Sequence, residues 1–173
     1  MQKQKGFSLI ELLIVVAIIL IIAAIAIPNL MRAKMAANDS SAAASERSIV
    51  TGEIGYFAAY PTLGFTSLLA LGGTIGVACV PSTTTACMID ANLANNGTPA
   101  ASGKSGYSFA VTSTAPAAAA PPTFYITAVP VSNTSGTKSF CAADDGVIRN
   151  GAAGTTVVPG SYAACLGWAP MNN

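Results

Sequence analysis

The chain has 173 residues, of which 52% are hydrophobic and 9% charged, with a formal net charge of +1. That length suits one folded domain beside a membrane segment, and so sparse and balanced a charge speaks against a basic nucleic-acid-binding surface. Histidine is absent, which excludes Ser-His-Asp and Cys-His catalysis, so no enzyme is expected.

The first element is a short polar leader, Met1-Gln2-Lys3-Gln4-Lys5-Gly6, followed by an apolar run from Phe7 to Ile27. As a helix this run reaches roughly 30 Å, enough to cross a bilayer. Its one charged residue is Glu11. A carboxylate there costs on the order of a few kcal/mol, so its default reading is functional. It lies one turn after Phe7, on the same helix face. A cut between Gly6 and Phe7 would create an α-amino group suited to neutralise it. Lys3 and Lys5 keep the leader end cytoplasmic by the positive-inside rule, outweighing Arg32 and Lys34 beyond the run. An ordinary secretory signal places its cut site after the apolar stretch, whereas here the cut precedes it and the run is retained.

The helix is expected to continue to about Tyr60, with a kink at Pro28, which removes one donor and crowds the Ala24 carbonyl. Beyond the kink Met35, Ala42, Ile49 and Tyr56 recur every seven residues, beside Ala36, Ala43, Val50 and Phe57. Together they form an apolar stripe to pack on a sheet, with Asp39, Ser40, Glu46, Arg47 and Glu53 largely elsewhere. Gly52, Gly55 and Pro61 weaken and end the helix. Residues 61–105 read as an irregular connection with one short helix near Thr66–Leu71. Tyr107, Phe109 and Val111 alternate with Ser108, Ala110 and Thr112 as a strand. After the Ala/Pro turn 115–122, strands are expected over Phe124–Val129, Lys138–Ala142 and Val147–Arg149, with Asp145-Gly146 as a tight turn. A long helix on three or four antiparallel strands is an α+β architecture. The cysteines, Cys79, Cys87, Cys141 and Cys165, all follow the apolar run. Their even number in an oxidising compartment reads as two disulfides with three possible pairings. Closeness in sequence and placement on the elements favour Cys79–Cys87 and Cys141–Cys165.

The segment KGFSLIELLIVVAIILIIAAIAIPNL resembles the class III prepilin signal of type IV pilins and of type II secretion pseudopilins. The likeness is strong from Lys5 to Leu30, specific at Gly6, Phe7, Glu11 and Pro28, and weaker to about Tyr60. The later pattern GYSF…FYITAVP…FCAADDGVIR resembles major pseudopilins, so the sheet region does not separate the two. The resemblance implies a leader at 1–6, a transmembrane and filament-core helix at 7–27, its amphipathic continuation at 28–60, and an exported region at 61–173. It further implies cleavage after Gly6, N-methylation of Phe7 by a prepilin peptidase/N-methyltransferase, and homopolymerisation through Glu11 and Phe7. An inner-membrane assembly platform with its ATPase and an outer-membrane secretin would be the partners. The subunit would wait in the inner membrane, N-terminus cytoplasmic, before joining a surface filament. The alternative is a major pseudopilin of type II secretion.

Other signals are set aside. Asp144 and Asp145 read as a solvated hairpin turn. Too few acidic residues are present to transfer the calcium site of major pseudopilins, and without histidine or a CxxC spacing no zinc site is expected; no metal or cofactor is implied. The stretch Gly97–Ser105 imitates a phosphate-binding loop, but with five residues between its glycines and a strand after it. The Asn-x-Ser/Thr triplets at Asn38, Asn96 and Asn133 are read as chance. Tyr56, Phe57, Tyr60 and Phe65 are read as packing residues rather than a conducting path. We expect the mature chain to begin at Phe7. Intact mass of the purified membrane protein or fibre checks this, and Gly6→Leu should leave the precursor uncut.

Overall fold

The computed structural model describes residues 8–97, 102–117, 120–151 and 157–171. They fall into two compact units, Met1–Lys34 and Met35–Asn173. Helix α1 (Leu9–Ala59) supplies the described part of the first unit and continues into the second. It runs through Pro28 and through Gly52 and Gly55, close to the extent expected from sequence.

In the second unit, residues 35–59 of α1 are followed by α2 (Leu68–Gly72), α3 (Ala91–Ala94), β1 (Tyr107–Ser113), β2 (Phe124–Pro130), β3 (Phe140–Ala143), β4 (Ile148–Asn150), α4 (Tyr162–Leu166) and β5 (Ala169–Pro170). The strands form one antiparallel sheet in the order β1-β2-β3-β4-β5. This is the α+β arrangement expected, a long helix on a small antiparallel sheet. The three short helices each begin at a capping residue. The side chains of Ser67, Asp90 and Ser161 accept from the amides of Ala70, Leu93 and Ala164, which satisfies one otherwise orphaned donor per helix.

The main core lies between α1 and one face of the sheet. Ile49, Val50 and Tyr56 share it with Leu71 and Leu93 and with Phe109, Phe124, Ile126, Phe140 and Ile148. Burying each such side chain stabilises by about 1.5–3 kcal/mol. Gly52 belongs to this contact, since a Cβ there would meet Ile89 Cγ2 at 3.0 Å, so the residue brings backbone close to side chain. The opposite face is covered from Tyr162 onward. Cys141 in β3 is bonded to Cys165 in α4, and Tyr125, Tyr162 and Trp168 pack around that bridge. Cys79 is bonded to Cys87, closing the loop before α3.

Several expectations need correction. Glu46 and Glu53 lie on the buried face of α1, not away from it, and both are fully covered. Ala36, assigned to the stripe, is exposed, and Met35 and Phe57 are only half-buried. Strand β3 begins at Phe140 and not Lys138, because the Lys138 carbonyl accepts from the Tyr107 hydroxyl at 2.8 Å. Val147 belongs to the turn before β4, where its amide donates to Asp145 Oδ1 at 3.0 Å. The elements α3, α4 and β5 carry too few residues for a periodicity to announce them.

Strand β1 pairs with β2 on one side only, and its other edge is filled locally at Tyr107 and Phe109. Asn96, at φ +55°, donates through Nδ2 to the Phe109 carbonyl at 2.6 Å and accepts the Phe109 amide on Oδ1 at 2.5 Å. Lys104 and Tyr107 exchange a second reciprocal backbone pair beside it. Asparagine suits this position because it tolerates the left-handed backbone region and carries both a donor and an acceptor. Asn96→Ala should therefore cost about 2–4 kcal/mol, since it leaves two backbone groups unpaired and strains the turn; chemical denaturation of the full chain checks it. Loss of the Cys141–Cys165 bridge should cost roughly 3.5 kcal/mol against about 2.6 for Cys79–Cys87, by loop entropy. Cys141→Ser should thus lower subunit levels more than Cys79→Ser in quantitative immunoblots.

Candidate functional site

The candidate site is the N-terminal part of α1. Ser8 precedes its first residue, and Glu11 lies in the first turn. The Ser8 amide donates to Glu11 Oε2 at 3.0 Å. This is half of a capping box, in which a carboxylate three residues into the helix reaches back to the cap amide. The positive end of the helix dipole favours the same placement. The signal was present in the sequence as Ser8-x-x-Glu11, but the apolar run drew attention away from it.

From Leu9 to Met31 every large apolar side chain is exposed, Met31 least at 45%. Only Ala23 in this stretch is half-buried. A surface of this kind is far beyond the scattered apolar residues a soluble monomer tolerates. By length and composition α1 is the one described helix apolar enough to cross a membrane. Small residues at Ala23, Ala24 and Ala26 permit close approach of another helix. Pro28 sits inside the helix and donates no backbone hydrogen bond. Gly6 and Phe7, the expected cleavage pair, lie outside the described residues, as does any contact between Phe7 and Glu11.

Residues 1–27 match the model of the prokaryotic N-terminal methylation motif. The type IV wide pilus major component PilA4 of Thermus thermophilus is 62% identical over 40 residues, which is 23% of this chain and 30% of that protein. The type IV major pilin protein PilA of Myxococcus xanthus is 44% identical over 55 residues, 32% of this chain and 25% of that one. Over these matched stretches the chain is homologous to type IV pilins. It spans less than a third of the length of these two curated pilins. No solved structure matches it.

The remaining groups of this pilin homologue fall into place around the sheet. Asp39 on α1 accepts from the Tyr107 hydroxyl at 2.6 Å, the Thr137 amide at 3.0 Å and the Thr137 hydroxyl at 2.5 Å. Burial, and then the bond to Asp39, pushes the Tyr107 phenol well above its ordinary range. At the β3–β4 turn Asp145 pairs with Arg149, and the guanidinium holds that carboxyl below its usual value. Asp144 accepts from the Tyr162 hydroxyl at 2.5 Å and pushes that phenol up to about 12. These acids therefore tie the turn and the tail together. Among the described residues no group of three or more acidic or cysteine side chains is placed to hold a metal. The phosphate-loop imitation runs into β1 and not a helix, and residues 98–101 of it lie outside the described part. The side-chain amide of Asn38 is occupied by the Ser135 carbonyl at 2.7 Å, as that of Asn96 is by Phe109. Phe57 and Phe65 stack at 5.0 Å, and Phe65 in turn meets Phe124 at 4.5 Å, as core packing.

Proposed function

We propose that the chain is the structural subunit of a type IV pilus or pilus-like filament, polymerising through the first part of α1. The observation that carries this reading is the apolar surface from Leu9 to Met31, uncovered by any other element, with one carboxylate in its first turn. In a membrane that surface faces lipid. In a filament it faces the same surface of neighbouring subunits. The methylation motif and the homology to type IV pilins support both stages.

In this reading a prepilin peptidase cuts between Gly6 and Phe7 and methylates the new amine. The subunit is held in the inner membrane with its sheet outside. An assembly platform driven by an ATPase then adds it to the fibre, which leaves through a secretin. Glu11 has two tasks. Within one subunit its Oε2 receives the Ser8 amide, which stabilises the helix start. Its other oxygen then meets the Phe7 amine of a neighbour, neutralising two charges that the dry fibre core cannot hydrate. Breaking one partner of such a buried pair typically costs about 3–5 kcal/mol.

Replacing Glu11 with leucine separates a polymerising subunit from an anchored domain. For an anchored domain the change is harmless, because a charge leaves the bilayer. For a filament subunit it should abolish fibres while processed protein stays in the membrane. The measurement compares sheared fibre with membrane-bound subunit in a strain lacking wild-type copies; normal fibre yield would overturn the proposal. Fibres confined to the periplasm in the wild type would instead identify a secretion pseudopilin.

A further inference from the structure

Asp39, Glu46 and Glu53 recur every seven residues along α1, on the side that meets the sheet. Their surroundings differ sharply. Asp39, half-buried, accepts three hydrogen bonds. Glu53 is fully covered, and its Oε2 accepts one bond, from the Thr66 amide at 3.0 Å, while Oε1 has no partner. Glu46 is fully covered, and neither oxygen has a partner. The Ala128 backbone in β2 lies close enough to lower the Glu46 pKa somewhat against the larger effect of burial, without completing a hydrogen bond.

Among the described residues no ion pair reaches either group. Facing Glu46 from β1 is the Tyr107 phenol, a neutral group already committed to Asp39 and the Lys138 carbonyl. Ala128 and its neighbours in β2 bring no titratable side chain to Glu46. From the connection before α2 the Thr66 amide faces Glu53 and donates to it. An ionised carboxylate in either place would be buried without a counter-charge, which proteins avoid by keeping the group neutral.

We propose that Glu46 and Glu53 make the contact between α1 and the sheet a proton-dependent joint, closed while both carboxyls keep their protons and loosened once they are lost. Burial raises Glu53 from 4.5 to about 7, against a small lowering by the Thr66 amide, and raises Glu46 well above its ordinary value. In the unfolded chain both groups ionise in the ordinary range. A folded-state value raised in this way gives stability that is complete below about pH 4.5. That stability is lost as pH rises through about 7 for Glu53, and through its own raised value for Glu46. Alkaline conditions therefore act on the seam that joins the exported sheet to its helix.

The experiment uses the full chain in detergent micelles, with unfolding followed through Trp168, the single tryptophan. The unfolding equilibrium constant of the wild type should rise at least about tenfold between about pH 5 and about pH 8. Glu46→Gln with Glu53→Gln should flatten that rise, because glutamine keeps the shape and cannot ionise. A wild-type profile that is already flat, or a double variant that keeps the full rise, overturns the proposal. Should the double variant fail to fold, titration of the glutamate side-chain carboxyl carbons in the wild type by NMR decides the matter. Glu46 found neutral at about pH 6 supports the joint, and Glu46 found ionised there overturns it.

Discussion

Helix α1 carries two very different surfaces on one backbone, and the rest of the molecule follows from that constraint. From Leu9 to Met31 its side chains, apart from Glu11 and Asn29, are apolar and exposed all round, so the helix has no preferred side and suits a uniformly apolar medium. From Met35 onward it turns into a helix with one buried side, set by Ala42, Ile49 and Tyr56. The only backbone group lost between the two regimes is the donor at Pro28. A helix satisfies its own polar backbone in lipid and in water alike, which is why this element, and no strand, can serve both.

The second unit is built to hold that helix from both ends. At one end Asp39 and Asn38 reach the segment between β2 and β3, through Thr137 and the Ser135 carbonyl. At the other, the Tyr56 hydroxyl donates to the Thr83 carbonyl at 2.7 Å, inside the loop closed by Cys79 and Cys87. Between these polar ties lie the apolar core residues, with the carboxyls of Glu46 and Glu53 fully covered among them. The sheet itself is buried on both faces at β3, by α1 on one side and by the bridged tail on the other. Each of its four residues is consequently small or aromatic and none is charged.

The sequence made the long elements readable and concealed the short ones. The extent of α1 followed from sustained hydrophobicity and then a seven-residue apolar repeat, and β1 and β2 followed from alternation between turn signals. What misled was charge. Glu46 and Glu53 were placed outside because carboxylates are seldom buried, yet they occupy positions 42, 46, 49, 53 and 56 together with Ala42, Ile49 and Tyr56, which is one helix face by spacing alone. Position outweighed residue type. The hydrogen-bonding role of Asn96 had no sequence signature, because it depends on a fold that brings residue 96 beside residue 109. At the candidate site Glu11 was visible as an isolated charge, while its bond to the Ser8 amide was legible only as a spacing.

The closed edge of β1 bears on how copies of this chain behave at high local density. An open strand edge is a template: it offers a row of free donors and acceptors to any other strand, with little regard for the register or direction of the incomer. Subunits concentrated in a membrane patch, or ranked along a fibre, would meet one another's edges constantly. By filling the row at Phe109 with a side-chain amide, and at Tyr107 with its own preceding loop, the chain withdraws that invitation. The first part of the helix, by contrast, presents an apolar surface with no hydrogen-bonding row. Asn96 thus takes up, with one side chain, the two backbone groups of Phe109 that an incoming strand would otherwise pair with.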